Sequence, residues 1–120
     1  MANTFKNAFA ENISNSSGSP TTVLTCPSSN SSKCVLIGMH VTNTHASGDV
    51  EVTIDVTDSS ASNTLTFMKA ITVSVNSTLD VLDSSKLILE ESDAVKVWSN
   101  TATSVNVLLS YLLVDSTWDL

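Results

Sequence analysis

Between Asp49 and Thr57 the chain reads DVEVTIDVT, with Val50, Val52, Ile54 and Val56 alternating without a break against Glu51, Thr53 and Asp55. A period of two is the mark of a strand with one face buried and the other in water. An α-helix would scatter those apolar positions around its whole cylinder. A half-buried strand is useful only if the rest of the chain builds a second layer to cover it.

Other segments provide that layer. Val35, Ile37, Met39 and Val41 alternate with Leu36, Gly38, His40 and Thr42, and NTHASG at 43–48 reads as the turn joining this strand to the next. TLTFMKAITVSV at 64–75 reads as one long or bent strand, and shorter candidates occupy 78–82, 86–90 and 94–99. SVNVLLSYLLVD at 104–115 sets Val105, Val107, Leu109, Tyr111 and Leu113 on one face, while Leu108, Leu112 and Val114 make the other face apolar too. A strand apolar on both sides is either central between layers or covered by a neighbouring subunit. Short strands recurring every ~8–12 residues predict an all-β, single-domain antiparallel β-sandwich of jelly-roll type. The domain is expected to span 21–120.

Residues 1–20 fit this pattern less well and read as a short N-terminal arm. Phe5, Phe9 and Ile13 recur at a spacing of four, which suits one face of a helix, but NSSGSP follows at once. Two aromatics on an arm imply docking, and Trp118 near the other end implies the same. Phe5, Phe9, Leu108, Leu112, Val114 and Trp118 are therefore the candidate contacts with another subunit or another protein.

Composition narrows the function. Apolar residues make up 42% of the 120 and charged residues only 14%. The abundant Ser, Thr and Asn favour strands and turns over helix. Twelve carboxylates face five lysines, with no arginine, for a formal charge of −7. Such a chain is repelled by nucleic acid, whose recognition needs basic residues to displace counterions. No stretch reaches the ~18 apolar residues of a membrane span, and MANTFKNAFAENIS lacks the apolar core of a signal peptide. A soluble protein made in the cytoplasm is expected, with neither nucleic acid nor membrane as partner.

Catalytic chemistry leaves no trace. Only Gly18, Gly38 and Gly48 are available, too few to frame a nucleophile elbow, a phosphate loop or a dinucleotide fingerprint. His40 and His45 lack further donors at metal-binding spacing, and Glu90, Glu91 and Asp93 read as a solvated turn. No enzyme, cofactor or metal site is expected. Cys26 and Cys34 flank CPSSNSSKC, a spacing unsuited to a redox CxxC or a zinc knuckle. If TTVLTC and CVLIGM pair as a hairpin, the two thiols face each other at its mouth. A disulfide there would stabilise by about 2.5 kcal/mol, whereas a reducing cytosol would keep both thiols free.

The succession MANTFKNA, VLTCPSS, VLIGMHVTNT, VEVTIDVT, MKA, LDVLDSSKLILEESDAVKVWSN and SVNVLLSYLL resembles small β-rich structural proteins of marine tailed bacteriophages, of the cyanophage and pelagiphage kind. That resemblance implies a non-enzymatic virion component present in many copies, forming a homotrimer and contacting the major capsid protein or other virion proteins. A capsid decoration or cement protein is the leading expectation. A neck, tail or fibre-attachment component is the alternative within the virion. A carbohydrate- or receptor-binding module, with Trp98 as stacking platform, is the alternative outside it.

Overall fold

The computed structural model describes residues 2–28, 32–82 and 86–115. Nine strands follow in chain order: β1 (Ala2–Ala10), β2 (Thr21–Thr25), β3 (Lys33–Asn43), β4 (Val50–Asp58), β5 (Asn63–Val73), β6 (Thr78–Asp80), β7 (Leu87–Leu89), β8 (Ala94–Ser99) and β9 (Val105–Asp115). No helix occurs among the described residues. One sheet runs β1-β9-β3-β6, with β7 also paired to β3, and the other runs β2-β8-β4-β5. Every pairing is antiparallel. The chain changes sheet at most of its connections, which is the jelly-roll way of closing two Greek keys into a sandwich.

The predicted alternations supply the core. Val50, Val52 and Ile54 of β4 and Val95 and Val97 of β8 are buried from one side, and Leu36, Met39, Val41, Val107 and Leu109 meet them from the other. Ile13, on the crossing from β1 to β2, closes one end of the core and donates its N–H to the Val105 carbonyl at 3.0 Å.

The segment read as an arm is a strand over its first half. β1 pairs with β9 in unbroken register from Ala2↔Asp115 to Ala10↔Val107. Backbone hydrogen bonds hold it, so its polar composition is no obstacle, and inward-facing Ala8 and Ala10 pack against the core. A spacing of four is even, so Phe5 and Phe9 share a strand face as readily as a helix face.

The expected β2–β3 hairpin does not form. β2 pairs with β8 and β3 with β9, so CPSSNSSKC carries the chain from one sheet to the other. The end of β2 is held instead by the β7–β8 turn. Cys26 donates its N–H to the Asp93 carbonyl at 2.8 Å, and its own carbonyl accepts from Ser92 N–H at 3.0 Å. The Asp93 side chain is also structural: its carboxylate accepts from the backbone N–H groups of Ser59 and Glu90, each at 3.0 Å. It ties the β4–β5 turn to the β7–β8 turn.

Two other alternations are broken by bulges. In β3 the register with β9 shifts between Leu36 and Gly38, which turns Ile37 outward and leaves Leu36, Met39 and Val41 inside. In β5 the register with β4 shifts twice, and Ala70 adopts a φ of 52° while donating its N–H to Thr53 Oγ1.

Leu108 and Leu109 are neighbours in sequence on opposite faces, 47% and 0% exposed. Leu109→Ala is therefore expected to cost about 3 kcal/mol in urea-melt stability, and Leu108→Ala less than about 1 kcal/mol.

Candidate assembly interface

Residues directly opposite each other in a ladder point the same way, so the register defines what each sheet shows to solvent. Across the outer face of the β1-β9-β3-β7 sheet, Phe5 lies opposite Leu112, Leu112 opposite Val35, and Val35 opposite Ile88. That is an apolar row spanning four strands. Beside it, Phe9 faces Leu108 and Leu108 faces His40, while Val114 faces Lys33. Phe5 is 77% exposed, Phe9 67%, Ile88 60% and Ile37 42%. Leu112, Val114 and Val35 are half-buried by their neighbours on the same face. Side chains this large are usually covered in monomeric soluble domains, and a contiguous exposed group of them marks an interaction surface.

The geometry brings together five of the six candidate contacts drawn from the sequence: Phe5, Phe9, Leu108, Leu112 and Val114. The sixth, Trp118, lies outside the described residues. Ile88, Val35 and Ile37 complete the patch. Ile88 belongs to a strand of only three residues, too short to show a period, and Ile37 was disguised by the bulge.

The outer face of the other sheet is different. It carries Thr22, Glu51, Thr53, Asp55, Thr57, Thr64, Thr66 and Lys96, with Trp98 half-buried opposite Thr53. On the apolar face Lys33 lies opposite Val114 and Lys86 precedes β7, with Asp80 beside His40 at the β6 edge, whereas Lys6 lies opposite buried Tyr111. On the other sheet Asp49, Glu51, Asp55 and Asp58 line β4 and its ends, with Lys96 opposite Asp55.

A shallow groove on this face, lined by Phe5, Lys6, Asn7, Ile37, Ser110 and Tyr111, holds no carboxylate, histidine or thiol. Among the described residues no three of His, Cys, Asp and Glu converge as metal ligands. His40 lies on the outer face between Leu108 and Asp80, and His45 is taken up in its turn, where its Nδ1 accepts from Ser47 N–H at 3.1 Å.

Cys26 and Cys34 are fully buried free thiols, one following β2 and the other in β3, near enough for each to influence the ionisation of the other. Cys26 Sγ also reaches the Ser32 carbonyl at 3.7 Å. Burial pushes the Cys34 thiol up from 9.0 to about 12, and burial raises Cys26 as well. Tyr111 is raised by the same burial, with the neighbouring thiols adding to it.

No protein-family model matches the chain, and no curated protein matches it in sequence. Solved structures share its fold. A chain from Bacillus endospore appendages, a family of disulfide-linked pili, aligns with a TM-score of 0.54 at 10% identity, over 94% of this chain and 88% of that one. The Drosophila NLP core, described for pentamer formation and histone binding, aligns with a TM-score of 0.55 at 9% identity, over 92% of this chain and 95% of that one. A chain of the capsid of Helicobacter pylori bacteriophage KHP30 aligns with a TM-score of 0.54 at 12% identity, over 98% of this chain and 90% of that one. At such identities the likeness is one of fold, and a chain of a phage capsid is among those that have it.

Burial raises both thiols above 9.0, near which the unfolded chain ionises them. Their contribution to stability is constant below that pH; that of Cys34 falls between 9.0 and about 12, and that of Cys26 falls in the same direction above 9.0. Urea melts at pH ~8 and ~10 should differ more for the wild type than for the Cys26→Ala/Cys34→Ala double variant. Both native thiols should resist Ellman's reagent, and both should titrate on denaturation without reductant.

Proposed function

We propose that this chain is a non-enzymatic structural component of a bacteriophage virion, incorporated in many copies as a decoration or cement protein of the head shell. The observation that carries the reading is the exposed row Phe5–Leu112–Val35–Ile88 on an otherwise polar, acidic domain. Such a face is stabilised when another protein surface covers it. Shell protein is the occupant of the face in this reading. The sequence resemblance to marine phage structural proteins and the fold shared with the KHP30 capsid chain support it. The other two neighbours, from a pilus and a pentamer, belong to proteins that assemble from copies of themselves. The homotrimer implied by the resemblance is the finer form of the proposal, with Leu108 at its seam.

A sugar-binding role is the second reading, favoured by Trp98 standing on the outer face of the second sheet beside Thr53 rather than between the layers. It predicts glycan binding lost in Trp98→Ala.

Incorporation tests the main proposal. Leu112→Asp places a charge at the centre of the apolar row, and particles assembled in its presence should lack the protein while the free variant keeps its β-rich circular dichroism. Trp98→Ala should incorporate normally. Hundreds of copies per particle are expected for shell decoration; six to a few tens would move the protein to neck or tail.

A further inference from the structure

A two-sheet sandwich has open edges, and natural proteins blunt them with short strands, bulges or inward charges. Among the described residues three of this protein's edges are blunted. β2 has five residues and a register shift, β6 and β7 have three each, and β5 is interrupted twice and kinked at Ala70. β1 has none of these devices. It is nine residues long, continuous in register with β9, free of proline, and exposed from Asn3 to Asn7. It is the last strand of its sheet, so one side of its backbone is available to a further strand.

The strand's own sequence says which strand fits. An antiparallel copy of β1 joined about a two-fold axis at Asn7 sets Phe5 opposite Phe9 of the partner subunit, and Lys6 opposite Ala8 of the partner subunit. The two edges then form two cross-strand aromatic pairs on the outer face, which favour this register over one that sets each ring against a polar side chain. A slip of two residues towards the N-terminus sets Lys6 opposite Lys6 of the partner subunit and each Phe opposite Asn, which penalises that register. We propose that two copies of this chain join edge to edge through β1, centred on Asn7, making one continuous sheet whose outer face doubles the apolar row. The inference deepens the assembly reading and rests on it for the role of the joined face, but the contact itself is made by β1 alone, through its backbone edge and its two Phe side chains.

The purified chain is measured by size exclusion with light scattering. Asn7→Lys puts like charges together at the two-fold axis, so it should halve the mass of the wild-type species: dimer to monomer, or hexamer to trimer where the trimer also forms; Ser110→Lys, which puts the same charge on the same face one strand further in, should leave the edge contact intact. Ile88→Ser, far from β1, should leave the two-fold contact intact. Asn7→Cys, oxidised with copper(II)–phenanthroline in air, should give a dimer band that reductant removes; the wild type, with both thiols buried, should not. A wild-type monomer, a mass unchanged by Asn7→Lys, or no cross-link at position 7 would each overturn the edge pairing. A trimer insensitive to Asn7→Lys but lost in Leu108→Ser would overturn it while leaving the face reading standing. A dimer abolished by Asn7→Lys whose Leu112→Asp form still enters particles would do the reverse.

Discussion

The ladder between β9 and β3 is the contact on which the rest of the molecule depends. It runs from Lys33↔Val114 to Asn43↔Val105, with one bulge, along the middle of the larger sheet. Its inward side supplies Leu36, Met39, Val41, Val107 and Leu109 to the core, and its outward side supplies Val35, Leu108 and Leu112 to the exposed row. Both flanks of the sheet are built on it, since β1 pairs with β9 and β6 and β7 pair with β3. A strand pair apolar on both faces gains from cover on each. The second sheet covers one; in the proposed reading, assembly covers the other.

Much of this was readable in the residues. DVEVTIDVT and SVNVLLSYLLVD carry their inner and outer faces openly, because an uninterrupted period of two translates directly into sidedness. Ile37 did not, because a bulge adds a residue without leaving a chemical mark on its neighbours. The supposed CPSSNSSKC hairpin failed for a different reason. Two strands adjacent in sequence look the same whether they pair with each other or with β8 and β9, tens of residues away, and that choice is made by packing two layers together. β1 was obscured because an edge strand needs no apolar inner face when backbone bonds to β9 hold it.

The thiol pair shows the same interplay of local and distant structure. Cys26 and Cys34 do meet, but as neighbours between two sheets rather than at the mouth of one hairpin. The Asp93 carboxylate and the turns around it hold the Cys26 end in place. An expected solvated turn, EESD, thus proves to be an organising point at one end of the sandwich.

Polarity is distributed to match an assembly role. Threonines and charged residues cover the β2-β8-β4-β5 face, which can stay wet, and exposed apolar side chains collect on the opposite face. The central claim is that this apolar face is covered in the virion. A single introduced thiol, Ile88→Cys, tests it most directly, because the two native thiols are buried. Maleimide should label it readily in the free protein and poorly in intact particles. Equal labelling in both states would contradict the account.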